Sequence, residues 1–306
     1  MHAKIERYFL GIVVIAVISG LLRPDLFVAW KPFISVGLGL VMFGIGMTIP
    51  TRYLTQTLLK PKRILGLVIL RYALMPAAAL LISKICHLTT FETMGLLVLG
   101  AAPGGISANV MAYLAGANTA LTVLLTLGST LLAPFVMPML IYLLLHQHIT
   151  IDVWSMVLHI GSIILLPILA GFLCNRYQTP VMVKIKQWTP SLSILLVAML
   201  IACVSAVNQK ALLNFPMMAL LAVLMLNLVG YLMGALIAYG MGWKTDSIWA
   251  TVFDYGMFDG AVAMVVCTVF IGPEAAIPAV LLGVLQNITA PLLIYGLQSK
   301  RLGLSH

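Results

Sequence analysis

The chain has 306 residues, of which 62% are hydrophobic and only 8% are charged. Because a soluble domain has about a quarter of its residues charged, this composition excludes a soluble globular protein and indicates a polytopic helical membrane protein. The formal net charge is +9, but the basic residues are scattered between apolar runs and form no basic stripe. This distribution argues against nucleic-acid binding.

Ten apolar segments predict ten transmembrane helices in an all-α protein. In chain order they are 8–22, 32–50, 64–85, 94–115, 120–145, 153–174, 191–207, 217–239, 247–271 and 275–297. The first segment follows Lys4 and Arg7 and has no small-residue cleavage site after it. We therefore expect a retained first helix and not a cleaved leader.

The basic residues predict how these helices are oriented. An even number of spans places both termini on one side, and with the termini in the cytoplasm twelve basic residues lie inside and four outside. The inner set is Lys4, Arg7, Arg52, Lys60, Lys62, Arg63, Arg176, Lys184, Lys186, Lys244, Lys300 and Arg301, and the outer set is Arg23, Lys31, Lys84 and Lys210. This asymmetry predicts a multi-pass protein of the inner (cell) membrane with cytoplasmic termini.

The chain divides into two sets of five spans, 1–150 and 151–306. Because five is odd, the second set enters the membrane from the opposite side, which is the inverted-repeat plan of many secondary transporters. Pro103-Gly104-Gly105 lies in the middle of the fourth segment, and the glycine-containing stretch 255–260 lies in the middle of the ninth. Proline lacks an N–H group and glycine weakens helices, so we expect both helices to be broken at mid-membrane, with carbonyl groups free to meet a cation.

Three charged residues lie inside the apolar segments, namely Arg71, Asp254 and Asp259. Each costs about 2.5–3.5 kcal/mol if it faces lipid, so each must face the protein interior or water. Arg71 either pairs with one of the two aspartates, as a structural salt bridge or in place of a bound cation, or it meets an anionic ligand. If it pairs, one formal negative charge remains, which suits Na⁺ or a proton.

The stretch 103–111 reads P-G-G-I-S-A-N-V-M. It resembles the bile acid:sodium symporter family, whose bacterial members have P-G-G-T-x-S-N-V-M there. The likeness extends over nearly the whole chain, through M-F-G-I-G-M-T at 42–48, Met75-Pro76, Gly256-Met257, and Q-N-I at 286–288, where the family often has H-N-I.

The resemblance implies a panel domain of helices 1, 2, 6 and 7 and a core domain of helices 3–5 and 8–10. Broken helices 4 and 9 would cross beside two sodium sites. The first sodium site would use Asn109, Thr122, Thr126 and Asp254. Ala108 stands where the family has a ligating serine, and Asp254 stands where it has glutamate.

The second sodium site departs further from the family pattern. Arg71 replaces a glutamine, and the family stretch E-x-G-M-Q-N is D-Y-G-M-F-D at 254–259, so that Phe258 replaces another side-chain ligand. Because a guanidinium repels Na⁺ strongly at low dielectric, we predict that this second site is absent.

The leading functional hypothesis is a secondary active transporter that moves an organic anion, such as a bile acid, a pantoate-like acid or a keto acid, by alternating access. One Na⁺ would provide the coupling, since a ligand shifts conformations only through differential affinity. The residues expected to contact the substrate are Arg71, Asn109, Asp259 and Asn287. Its other surroundings would be the lipid bilayer, and no obligate protein partner is implied.

Four alternatives remain. A desolvated aspartate could couple transport to protons, or the carrier could be uncoupled. A channel is disfavoured because no filter motif is present. An intramembrane aspartyl hydrolase needs two carboxyl groups that share a proton, and such enzymes place them on separate spans. Asp254 and Asp259 instead flank one interruption and no G-x-G-D motif occurs, so we expect that the protein is not an enzyme.

Overall fold

The structure is a computed structural model and describes residues 9–48, 61–145, 152–175, 180–214 and 216–301. Within these ranges every regular element is helical. The α-helices are α1 (Phe9–Leu22), α2 (Pro24–Val28), α3 (Ile34–Thr48), α4 (Pro61–Ile85), α5 (Thr90–Gly100), α6 (Ile106–Leu114), α7 (Thr119–Leu145), α8 (Val153–Ile160), α9 (Leu166–Asn175), α10 (Pro180–Val207), α11 (Gln209–Leu213), α12 (Met217–Gly240), α13 (Thr245–Gly256), α14 (Gly260–Phe270) and α15 (Ile277–Arg301).

Six helical segments of the described chain are long and apolar enough to cross a membrane. They are Lys31–Thr48, Lys62–Ile85, Thr119–Leu143, Val153–Asn175, Met217–Gly240 and Pro273–Gly296. Four shorter apolar helices are Gly11–Leu22, Thr90–Gly100, Ser191–Val207 and Gly260–Phe270. The protein is therefore an all-helical, multi-pass membrane protein, as its composition predicts.

Two predicted segments differ in detail from the observed helices. The sixth is continuous from α8 to α9 but contains a π-helical turn at Gly161–Leu165, which was not predicted. Gly161 opens this turn and Pro167 follows it, and both residue types weaken helical hydrogen bonding. The seventh begins at Pro180, eleven residues before the predicted start at 191. Lys184 and Lys186 interrupt the apolar pattern there, whereas proline in the first turn is a favourable helix start.

The backbones of α3 and α9 pack closely because glycine lies where they meet. A Cβ atom on Gly46 would overlap the carbonyl oxygen of Ile168, and one on Gly171 would overlap that of Phe43. Such small residues allow membrane helices to approach each other closely. Helix α10 packs against both α1 and α3, so that α1, α3, α9 and α10 form one connected group of helices.

The remaining long helices surround the two broken ones. Helix α12 packs along α13 and α15, α4 packs along α5, and α7 contacts both α6 and α13. Several of the largest fully buried side chains lie here, including Arg71, Phe253, Tyr255 and Phe258. The interior of the protein is therefore built around the break between α13 and α14.

Candidate functional site

Both predicted interruptions are present in the structure. Helix α5 ends at Gly100 and α6 begins at Ile106, with Gly105 in an extended conformation between them. Helix α13 ends at Gly256, Met257 is extended, and α14 begins at Gly260. The breaks fall where glycine and proline weaken helical hydrogen bonding, so the local sequence accounts for their positions.

The two breaks lie side by side and pair with each other. Gly104 and Phe258 form an antiparallel β-bridge. The backbone N–H of Gly105 donates to the carbonyl of Met257 at 3.0 Å, and that of Asp259 donates to the carbonyl of Pro103 at 2.9 Å. Each break thus provides hydrogen-bond partners for some of the backbone N–H and C=O groups that the other break leaves unpaired. A low-dielectric interior requires such pairing.

Other backbone groups at the breaks form hydrogen bonds with polar side chains that were not predicted to belong to the site. The Oγ of Ser129 accepts from the N–H of Gly104 at 3.1 Å. The Oε1 of Gln286 accepts from the N–H of Phe258 at 3.2 Å, and the Nδ2 of Asn227 donates to the carbonyl of Gly256 at 2.7 Å. All three are polar residues within apolar spans. That position was the sequence signal that could have identified them, and it is strongest for Asn227.

Arg71 fills the space behind the paired breaks. Its side chain is 0% exposed, and its guanidinium donates to the carbonyl of Asp254 and, at 3.4 Å, to that of Ala102. Nη1 lies 3.7 Å from the carboxylate Oδ2 of Asp254, and the guanidinium lies 4.8 Å from the centre of the Phe258 ring. Of the two intramembrane aspartates, Asp254 is therefore the one that Arg71 contacts.

Three of the four residues expected at the first sodium site lie together. The Oγ1 of Thr126 is 3.3 Å from Oδ1 of Asn109 and 3.2 Å from Oδ1 of Asp254, and we call these three oxygens the acceptor cluster. The threonine hydroxyl has a single hydrogen but faces two acceptors, so one acceptor is left without a donor at any moment. The acceptor cluster is therefore chemically suited to a small cation.

Thr122, the fourth expected residue, makes its hydrogen bonds outside the acceptor cluster. It lies one turn from Thr126 on the same face of α7. Its hydroxyl is 3.3 Å from the carbonyl of Asn118 and 3.5 Å from that of Ala250, one turn before Asp254 on α13. The bond to Asn118 is the backbone-directed bond that threonine commonly makes in helices.

A cavity of about 340 Å³ adjoins the other side of the paired breaks. It lies between α1, α3 and α10 on one side and the breaks with α15 on the other. Polar residues on its walls are Thr48, Ser107, Thr189, Ser193, Asp259, Gln286 and Asn287, and most of the remaining lining is apolar. Two of the residues expected to contact substrate, Asp259 and Asn287, line this cavity, whereas Arg71 and Asn109 are not among its lining residues.

Two of these polar residues, Asp259 and Asn287, are held differently. Asp259 is the N-cap of α14, and its Oδ1 accepts from the backbone N–H of Val262 at 3.2 Å. Asn287 is 4% exposed, and its Nδ2 donates to the carbonyl of Gly283 at 2.6 Å. Its Oδ1 is buried with no hydrogen-bond partner among the described residues.

Comparison with known proteins gives consistent similarity to one family. The profile of the Sodium Bile acid symporter family matches residues 35–215. The chain is 30% identical over 292 residues to the uncharacterized sodium-dependent transporter YocS of Bacillus subtilis (strain 168), covering 95% of this chain and 91% of that protein. It is 31% identical over 276 residues to the probable sodium/metabolite cotransporter BASS1, chloroplastic, of Arabidopsis thaliana, covering 90% and 69%.

A shorter similarity reaches a mammalian protein. Over 103 residues the chain is 31% identical to the hepatic sodium/bile acid cotransporter of Rattus norvegicus, which covers 34% of this chain and 28% of that protein.

Proposed function

Because the chain belongs to the sodium bile acid symporter family, we propose that it is a secondary active transporter that carries an organic anion by alternating access, coupled to one Na⁺. The family and the relatives are transporters, so the aspartyl hydrolase alternative is set aside and the protein is not an enzyme. The descriptions of the family and of the Bacillus subtilis relative both name sodium, which supports Na⁺ as the coupling ion.

The proposed architecture has ten transmembrane helices in two inverted repeats, 1–150 and 151–306. The six long apolar helices and four shorter ones supply one apolar segment for each proposed span. The panel would consist of the spans that contain α1, α3, α8 with α9, and α10. The packing of α1, α3, α9 and α10 against one another supports this grouping, whereas α8 packs against α7. The charge asymmetry supports insertion in the inner membrane with both termini in the cytoplasm.

The Na⁺ site is proposed at the acceptor cluster, with Asn109, Thr122, Thr126 and Asp254 as ligands. Oxygens that share a hard cation at about 2.3–2.6 Å lie close to one another, and the separations of 3.2 and 3.3 Å in the acceptor cluster fit such sharing. We retain Thr122 because it lies on the same face of α7 and contacts α13 one turn from Asp254.

The proposal that only one Na⁺ is bound rests on the position of Arg71. A second cation beside the breaks would need carbonyl oxygens and a carboxylate, and the guanidinium already contacts the carbonyls of Ala102 and Asp254 and the Asp254 carboxylate. Arg71 thus acts as a built-in cation that cannot dissociate during transport. Its charge also weakens Na⁺ binding at the neighbouring acceptor cluster, because the two positive charges repel each other in a poorly screened interior.

The solute is proposed to bind in the cavity between panel and core. Asp259 and Asn287 are the proposed contacts, and Asn109 would join them when the core moves against the panel. A cavity of about 340 Å³ falls in the range of roughly 300–1,000 Å³ that is usual for small-ligand sites. Because Arg71 lies behind the breaks, we assign it the role of fixed cation and not that of carboxylate partner.

Reconstituted uptake tests the proposal. Liposomes containing the full chain are offered labelled pantoate, 4-methyl-2-oxopentanoate and taurocholate under an inward Na⁺ gradient, a K⁺ gradient or a pH gradient. The expected result is saturable uptake of an organic acid that is driven by Na⁺ alone and lost in Asp254→Asn, but kept in the exposed control Asp25→Asn. Uptake driven by the pH gradient alone would favour the proton-coupled alternative, and uptake without any gradient dependence would favour an uncoupled carrier.

A further inference from the structure

The cavity contains a charge without a side-chain counter-charge. Among the described residues that line it, Asp259 is the sole ionised group, and neither lysine, arginine nor histidine is present. Among the described residues, the cation beside the breaks is Arg71, and it contacts Asp254 on their far side. A solute that was purely anionic would therefore meet an acidic and not a basic group on the core side of the cavity.

Helix capping accounts for only part of what Asp259 does. As the N-cap of α14, it accepts a hydrogen bond from Val262 and benefits from the helix dipole, which corresponds to about half a positive charge. Serine or asparagine caps a helix as well as aspartate does and carries no charge. The full carboxylate thus brings more negative charge into this apolar space than the helix end can balance.

Asn287 lines the same cavity and holds a second acceptor, which is buried in the cavity wall. Its amide orientation is fixed by donation to Gly283, which leaves Oδ1 buried and without a partner in the described part of the chain. Buried polar groups are almost always hydrogen-bonded, so this oxygen needs a donor that the described residues do not supply, and a solute can reach it when the Asn287 side chain turns toward the cavity. A carbonyl or carboxylate group of a solute cannot supply one.

We propose that the transported solute carries a protonated amine, which donates to Asp259 and, once the Asn287 side chain turns toward the cavity, to its Oδ1. An ammonium group offers three donors and no acceptor, which suits a carboxylate beside an unpaired amide oxygen. The inference depends on the proposed function, since it takes the cavity as the transport site, and it replaces the organic anion of that proposal by an organic acid that has no net charge. An organic acid that also carries an ammonium group is an amino-acid-like zwitterion, and the apolar walls that include Val13, Val197 and Ile201 suit an aliphatic side chain.

Three solutes with one carbon skeleton test the inference directly. Leucine, 2-hydroxy-4-methylpentanoate and 4-methyl-2-oxopentanoate differ only in an ammonium, a hydroxyl or a carbonyl next to the carboxylate. Binding to the purified full chain in saturating Na⁺ is measured by the shift in unfolding temperature and by titration. We expect leucine to bind at least about tenfold more tightly than the keto acid. Asp259→Asn, which keeps the helix cap, is expected to remove that preference, while Asp25→Asn keeps it.

Several results would overturn the inference. These are tighter binding of the keto acid than of leucine, a preference that Asp259→Asn leaves unchanged, or binding of none of the three solutes. Loss of Na⁺ affinity in Asp259→Asn without a change in solute preference would assign the carboxylate to the coupling ion and would also overturn it. The proposed function is tested separately. Na⁺-driven uptake of the keto acid and not of leucine would refute only the proposal that the solute carries an amine. Binding of leucine together with uptake that does not depend on Na⁺ would refute only the proposed Na⁺ coupling.

Discussion

Replacing Arg71 by glutamine is expected to destabilise the protein in K⁺ and to make its stability depend on Na⁺. Arg71 and Asp254 are 0% and 1% exposed, and their charged atoms lie 3.7 Å apart. At an effective dielectric constant of about 20, this separation corresponds to an attraction of ~4 kcal/mol. Removing one partner of a buried pair leaves the other charge uncompensated, which costs about 3–5 kcal/mol.

Sodium should reverse much of this loss. In Arg71→Gln the carbonyls of Ala102 and Asp254 and the Asp254 carboxylate are free to bind a mobile cation. A ligand present at about 100 times its Kd stabilises a folded protein by about 2.7 kcal/mol. We therefore expect the difference in unfolding free energy between Na⁺ and K⁺ to be about 2–3 kcal/mol larger in the variant than in the wild type.

The assay is thermal and denaturant unfolding of the purified full chain in detergent, in matched NaCl and KCl. Arg63→Gln is the control, because Arg63 lies on the same helix, α4, but is exposed. It should change neither the stability nor its Na⁺ dependence. An Arg71→Gln protein that is as stable as the wild type in K⁺, or equally unstable in both salts, would refute the idea that Arg71 occupies a cation position.

Three further substitutions test the surroundings of the breaks. Gly104→Ala places a Cβ atom 2.5 Å from a carboxylate oxygen of the acceptor cluster, so Na⁺-dependent stabilisation should be lost, whereas Gly66→Ala, with nothing within 4 Å, should keep it. Thr126→Val removes the hydroxyl of the acceptor cluster and should raise the Na⁺ concentration for half-maximal stabilisation at least about tenfold; Thr130→Val removes only a bond to a backbone carbonyl, and an equal effect there would contradict the assignment. Asn227→Leu leaves the carbonyl at the end of α13 without its donor and should lower the free energy of unfolding by about 1–3 kcal/mol in a denaturant titration, so an unchanged midpoint would argue against this role.

The sequence predicted the features that depend on local chemistry. Length and hydrophobicity predict membrane helices, and Pro103-Gly104-Gly105 predicts a break because proline and glycine weaken a helix wherever they occur. The burial of Arg71 and Asp254 follows from the cost of a charge facing lipid. The grouping of Asn109 with Thr126 and Asp254 came from resemblance to a family, since these residues lie on three different helical segments.

The pairing of Arg71 could not be read from the sequence. Asp254 and Asp259 flank a break in which helical periodicity is lost, so their directions are independent of each other. The carbonyl groups of the breaks were expected to be free, but they are largely paired across the Gly104–Phe258 bridge and with side chains such as Asn227. These contacts join residues far apart in the chain, which no local pattern encodes.

Direct counting of bound sodium tests the central claim that Arg71 fills one of two cation positions. Equilibrium binding of radioactive Na⁺ to the purified full chain, with the wild type and Asp254→Asn measured in parallel, gives the number of ions per chain. We expect one Na⁺ per wild-type chain and none in Asp254→Asn. Two sodium ions per wild-type chain, or one that persists in Asp254→Asn, would contradict it.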